Sequence, residues 1–250
     1  MTFLVGGVGE LYQGDMDVGR LAADRLTQED LGPEVVVEDL YYGALAVTQL
    51  LEDLRPSAMV LVGAAARGRA PGSVERRRIV SPAPHVQRFR TAVEQAGTGH
   101  VSIDLILEVA GGFDALPART VTIEVEPVRR EPSESLSGEV RSGLDRALEL
   151  TRLEVTRLPL LELSDRLRGL VVGDRLQPAP ALEVMRDLLS ELDHLDHTGR
   201  WGRTFSRRDE LRFRIASGET GDGMDHLDWS QWWAVIEELD RLQAAEGAVP

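Results

Sequence analysis

Two stretches of this chain hold residue types whose spacing could do chemistry. The first is Val5 to Gly19, VGGVGELYQGDMDVG, an apolar run that feeds into Gly6, Gly7 and Gly9 and then into Asp15 and Asp17. A glycine turn at the end of a parallel strand can cradle a phosphate, because glycine takes positive φ without penalty and lets the backbone approach a ligand. A dinucleotide turn needs G-x-G-x-x-G, and here Tyr12 stands at the third glycine. A P-loop needs G-K-[ST], and the chain contains no lysine. The second stretch lies near the other end, where Asp193, His194, Asp196 and His197 fall close together and Asp225-His226-Leu227-Asp228 follows. Residues three apart share a helix face, so His194 and His197 could chelate an ion with Asp228 or His226. A solvated acidic helix end, with an N-cap at Asp228, accounts for the same residues.

The elements around the first stretch read as a parallel α/β unit. Phe3 to Val5 is a strand, and Val18 to Leu26 is a helix whose first N–H groups Asp15 or Asp17 could cap. Val35 to Val37 is a short β-branched strand, Leu45 to Leu54 a helix closed by Arg55-Pro56, and Met59 to Val62 a strand apolar on both faces. That alternation implies a mostly parallel sheet with right-handed crossovers. Ser73 to Val80 reads as a further strand despite Arg76, Arg77 and Arg78. Val86 to Ala96 and Ile103 to Ala110 read as helices, Thr120 to Val125 as a strand and Val140 to Val155 as a helix.

The pattern then changes. Leu158 to Gly173 is apolar without a clear period, and Gln177 to Pro180 reads as a linker. Ala181 to His197 and Trp229 to Leu242 carry helical stripes, the latter with Trp229, Trp232 and Trp233, and Gly199 to Gly223 reads as a long connection holding a short helix. The expected organisation is an α/β three-layer sandwich over residues 1–157, with a mostly helical extension of unknown role over 158–250. The tryptophan stripe reads as the core of that extension, or as a surplus aromatic face for a partner.

Composition excludes several classes. Without cysteine there are no disulfides, thiolate metal sites or cysteine nucleophiles. A net charge of −14 argues against nucleic acid and anionic membrane, both of which need basic patches. No apolar run nears the roughly 20 residues of a membrane span, and the first residues lack a signal-peptide pattern, so a cytoplasmic protein is expected.

The order of motifs in the first unit resembles the hydrogenase maturation endopeptidases, which process the nickel-iron hydrogenase large subunit. Gly7-Val8-Gly9-Glu10 is similar to their G-x-G-N turn, and Gly14-Asp15-Met16-Asp17-Val18-Gly19 to their G-D-[DE]-G-x-G segment. Asp39 and the helix ending in Leu50-Leu51 resemble their D-G-G-T segment, with Leu40, Tyr41 and Tyr42 in place of the glycines and threonine. Met59 to Val62 resembles the strand that ends in Asp-Ala, here Gly63-Ala64, and Pro71-Gly72-Ser73-Val74 the P-G-[ST]-V turn. His100, the helix Leu105 to Ala110, Leu116-Pro117, the strand ending at Glu126-Pro127, and Leu136-Ser137 follow in the family's order.

The resemblance implies a cleft in which two acids and a histidine sense or use a metal, the nickel of the substrate large subunit being the ion concerned. In this chain the acidic positions are Met16, a soft thioether, and Gly63, which offers no donor. His100 matches the third ligand, and Asp15 or Asp17 could shift into the first place; a helix cap or turn role for these residues stays open. Glu10, Asp39, Tyr41 and Tyr42 fall where the large-subunit tail would bind, and a solvated turn role for Glu10 stays open as well. The resemblance thus implies a hydrogenase maturation factor whose partner is the large-subunit precursor. It would act either as an assembly chaperone or scaffold with weakened or lost peptidase activity, a pseudoenzyme, or as an active endopeptidase that removes the C-terminal extension after nickel insertion. An unrelated small-molecule-binding α/β protein is the third reading, with its site at the strand ends near Gly7 to Asp17 and Gly63 to Arg67.

Overall fold

The computed structural model describes residues 2–79, 86–172, 175–176, 178–198 and 208–219. It divides into two compact units, Met1–Val155 and Thr156–Pro250. Among the described residues no helix is long and apolar enough to cross a membrane.

The first unit is a three-layer α/β sandwich. Its sheet has the order β2-β1-β3-β5-β4, formed by β1 (Phe3–Val8), β2 (Val35–Asp39), β3 (Ala58–Ala64), β4 (Val74–Ile79) and β5 (Arg119–Val125). All neighbouring pairs are parallel except β4 with β5. A parallel sheet buried on both faces needs apolar residues in either direction of the pleat, and β1 and β3 are buried along their whole length. Leu4, Met59 and Leu61 face one way, against α2 (Ala44–Leu54), α3 (Val86–Ala96) and α4 (Ile103–Gly112). Val5, Val60, Val62, Ile123 and Val125 face the other, against α1 (Val18–Leu26) and the first half of α5 (Gly138–Gly169).

Two glycines let α1 lie close on the sheet. A Cβ on Gly19 would collide with the Val8 and Val62 carbonyls, and one on Gly7 with the Gly19 carbonyl. Gly19, inside the helix, therefore does the close-packing work that the third glycine does in a dinucleotide turn, which leaves position 12 free to carry a tyrosine.

Capping and boundaries differ from the sequence reading in three places. Asp17 does sit at the N-cap of α1, but neither it nor Asp15 caps a helix with its side chain. The aperiodic stretch after Leu158 is helix: α5 runs on to Gly169 with Pro159 inside it, because its stripe shifts face and so blurs the period. Pro178 to Pro180 of the expected linker form the start of α6 (Pro178–Thr198), and proline is at home in a first helical turn. In the second unit Leu163, Leu167, Val184, Met185, Leu188 and Leu211 build a separate apolar core with α7 (Arg208–Glu219), and β6 (Val171–Val172) pairs with β7 (Arg175–Leu176). The Trp229, Trp232 and Trp233 stripe and the Asp225 to Asp228 run lie outside the described residues.

Candidate functional site

The candidate site lies where β1, β2 and β3 end and their loops meet. In open parallel sheets this end collects the loops that lead into helices, so it is where a ligand has room to bind. Asp15, in the 3-10 turn Gly14–Asp17 before α1, is fully buried. Its carboxylate accepts hydrogen bonds from the backbone N–H groups of Val128 (3.0 Å), Arg129 (2.8 Å) and Ser137 (2.7 Å) and from the Ser137 hydroxyl (3.0 Å). Burial pushes this carboxyl up, but those donors outweigh it and hold it below its usual range. Asp15 thus staples the 128–137 loop to the glycine turn, a long-range bond that spacing could not reveal.

Asp17 is spoken for as well. Arg20 donates to it through Nε at 2.7 Å and Nη2 at 2.6 Å, and to Asp24 through Nη1 at 2.8 Å. Asp39, at the end of β2 and in register with Gly7, stands near the same guanidinium. Its Oδ1 is buried without a hydrogen bond. Burial raises its carboxyl to about 6; Arg20 pulls it down, while Asp24, Asp17 and Glu38 push it further up.

Glu10 and His100 meet across the mouth. Nδ1 of His100 lies 2.5 Å from Oε1 of Glu10, although 90 residues separate them. Gly99, with φ +81°, turns the chain into the loop that carries His100, and Ser102 then caps α4 by accepting from the Leu105 N–H at 3.2 Å. The turn before α2 comes to the same place, since a Cβ on Gly43 would lie 3.8 Å from the Gly99 Cα. Leu11 and Tyr12 follow Glu10, and Tyr41, Tyr42 and Leu45 flank the Gly43 turn; these are five of the eight large apolar side chains that are exposed among the described residues. They fall on two short stretches, 11–12 and 41–45. Tyr41 and Tyr42 meet edge to face, their centroids 5.7 Å apart. Tyr12 is held at φ +60°, a left-handed conformation unusual for an aromatic residue, so the surrounding loop fixes it there.

On the β5 side lies a network that sequence reasoning missed. Glu124 is fully buried in β5, beside Gly63 in register, and accepts from Arg67 Nε (3.0 Å) and Nη2 (3.0 Å) and from Arg77 Nη1 (2.8 Å). Arg67 also forks onto Asp104 at 2.8 and 2.7 Å. Glu126 accepts from the Arg67 and Gly68 N–H groups at 2.8 and 3.1 Å and from Arg69 at 3.2 Å. Burial pushes both carboxyls up, and these cations and amides bring them below the usual range. Two of the three arginines of β4 that weakened its reading as a strand are explained here too, since Arg76 grips Glu154 at 2.5 and 2.9 Å while Arg77 reaches Glu124. The available signal was one glutamate inside a β-branched strand and a second just past its end, TVTIEVEP, which burial obliges to find partners.

The divalent ion that the resemblance implies does not fit these residues. Met16 packs its thioether side chain against the α1-side apolar cluster. A Cβ on Gly63 would stand 2.7 Å from the Val8 carbonyl oxygen, so a side chain there would force the strand ends to shift, and glycine supplies no donor. The Asp15 and Asp17 carboxylates are engaged as above, and a lone imidazole does not hold a metal at a defined geometry. Among the described residues no group of three His, Cys, Asp or Glu could hold a metal ion. In the second unit Asp193 accepts from Arg212 at 3.1 Å, while the side chains of His194 and His197 lie outside what is described.

No protein-family model matches the chain, and no curated protein matches it. Among solved structures it is similar to the hydrogenase 2 maturation peptidase from Thaumarchaeota archaeon SCGC_AB-539-E09, at 22% identity and TM-score 0.43 over 60% of this chain and 95% of that one. It is similar to the [NiFe] hydrogenase maturation protease HycI from Thermococcus kodakarensis KOD1, at 18% identity and TM-score 0.47 over 62% of this chain and 91% of that one. The hydrogenase maturating endopeptidase HybD from E. coli aligns at 23% identity and TM-score 0.46 over 63% of this chain and 93% of that one.

Proposed function

We propose that this chain is a maturation factor for a nickel-iron hydrogenase large subunit, which binds the C-terminal tail of the precursor and does not cut it. The observation that carries the proposal is convergence. Motif segments spread from Gly7 to Ser137 come together at one end of the sheet, through the Asp15 bonds to Val128, Arg129 and Ser137, the Glu10–His100 contact and the Arg67–Glu126 bond. A tail would lie along the exposed rim of Leu11, Tyr12, Tyr41, Tyr42 and Leu45. Aromatic side chains of this kind give large contact area at low entropic cost. Cleavage of an amide by the metal route needs an ion that polarises the scissile carbonyl, and the donor set does not fit one.

The competing reading is an active endopeptidase. Incubation with a nickel-loaded, tail-bearing precursor, followed by intact-mass spectrometry and size exclusion, separates the two. An intact precursor that co-elutes with this protein supports the binding factor. A mass loss equal to the extension, absent without the protein, overturns it in favour of the enzyme. A precursor that is neither cleaved nor retained removes the hydrogenase pathway altogether.

A further inference from the structure

Arg67 holds two carboxylates of very different standing. Its Nε and Nη2 edge donates to Glu124, at 3.0 Å from each nitrogen, and Glu124 is wholly buried. Its Nη1 and Nη2 edge forks onto Asp104 at 2.8 and 2.7 Å, and the Asp104 side chain is 57% exposed. Arg77 fixes the inner carboxylate further at 2.8 Å, and the Arg67 and Gly68 N–H groups tie the chain around Arg67 to Glu126. The guanidinium therefore keeps its place without Asp104, and its outer edge is a preformed fork that matches any carboxylate. Asp104 loses little by letting go. An exposed ion pair is weak in water, and Asp104 lies in the first turn of α4, where a carboxylate is favoured with or without a partner.

We propose that the outer edge of Arg67 is a carboxylate-binding site, which Asp104 fills from within the chain until a ligand displaces it. The exchange is one carboxylate for another: the two ligand oxygens take the Nη1 and Nη2 donors, and Asp104 turns into water. Because the inner edge is already ordered on Glu124, the ligand does not have to immobilise the guanidinium. Glu124 is in register with Gly63, and Asp104 follows the Ser102 cap of α4, so the seat lies at the same end of the sheet as His100. That the carboxylate belongs to a polypeptide, as an α-carboxylate or an acidic side chain, rests on the proposed function; the seat itself does not.

The test uses the full chain, labelled with nitrogen-15, at an ionic strength held constant with sodium chloride. Sodium acetate is the probe for the seat, followed through the side-chain nitrogen resonances of Arg67. Asp104→Ala is expected to bind acetate about fivefold more tightly than the wild type, the worth of the exposed pair it removes. The Arg67 signals should move, while those of Arg25, whose ion pair with Asp145 is also exposed, should stay in place. Arg67→Gln is expected to abolish binding. Equal affinity of wild type and Asp104→Ala overturns the proposal, and so do Arg67 signals that acetate leaves unmoved in Asp104→Ala. If Arg67→Gln fails to fold, the Arg67 resonances in Asp104→Ala decide alone. Three acetylated tripeptides then identify the source: Ala-Ala-Ala with a free α-carboxylate, Ala-Glu-Ala amide with a side-chain carboxylate, and Ala-Ala-Ala amide with neither. The one of the first two that binds more tightly names the source, and equally tight binding of the third overturns the proposal. A seat that takes acetate in a protein that retains no precursor refutes the proposed function and leaves the seat standing.

Discussion

Replacing Asp39 by asparagine is expected to stabilise the protein at pH 8. Burial, with Asp24, Asp17 and Glu38 adding repulsion and Arg20 partly offsetting it, lifts the Asp39 carboxyl from 3.8 to about 6. A tenfold change in acid constant is worth about 1.4 kcal/mol, so the whole displacement is about 3 kcal/mol, and solvent screening at a part-exposed group reduces this to about 1–2 kcal/mol. The sign follows from proton uptake. Between about pH 4 and 6 the folded state binds more protons at Asp39 than the unfolded state, so the stability of the wild type falls as pH rises through that window. Above it the ionised, half-buried carboxylate is a constant cost, which the neutral amide of the Asp39→Asn variant does not carry. Urea unfolding of wild type and Asp39→Asn at pH 8 and at pH 4.5 measures this, and the difference between the two proteins cancels the titration of every other group. The variant should gain about 1–2 kcal/mol at pH 8 and much less at pH 4.5. A loss at pH 8, or an equal gain at both, would refute the reasoning. If Asp39 also contacts the tail, the stabilised variant binds the precursor less tightly, the usual exchange of stability for function at a site.

Three further outcomes test the rest of the site. Asp15→Ala removes the acceptor of the Val128, Arg129 and Ser137 amides, the last of them buried, and should cost about 2–4 kcal/mol in denaturant unfolding. Because the Asp15 carboxyl is held below its usual range, the stability it contributes is present above about pH 4 and lost as pH falls through its lowered folded value. Glu124→Gln removes the charge that Arg67 and Arg77 share and turns an NH2 donor toward one of them, and is expected to cost about 3 kcal/mol, with the 65–73 loop opening in hydrogen exchange before the rest of the sheet. Gly63→Asp, combined with Met16→Glu to rebuild the family's acidic pair, should recover no nickel or zinc binding and should lose about 2 kcal/mol or more, because the new Cβ collides with the Val8 carbonyl. Stoichiometric metal binding by that double variant would show that the strand ends can part.

Local chemistry made much of the α/β unit legible. β3 could be read from an apolar run with no polar face, α2 from its stripe and the Arg55-Pro56 stop, and the first turn from glycines that a strand-to-helix reversal requires. Arg55 indeed takes the left-handed conformation, φ +47°, that ends α2. The second half of α5 was illegible for the opposite reason. A helix that changes its neighbours along its length changes its buried face, and a fixed period then disappears from the sequence.

Within the site, the sequence by itself determined which groups are present and which are missing. It supplied Glu10, Asp15, Asp17, Asp39 and His100, no cysteine, and a thioether and a glycine where the resemblance requires acids. Whether each carboxylate is free or engaged was decided only by the tertiary structure. Asp15 is satisfied from residues 113 to 122 positions away, and Glu10 faces a histidine 90 positions away. A carboxylate's chemistry depends on the donors and the dielectric around it, and those arrive from strands and loops that spacing along the chain does not bring together.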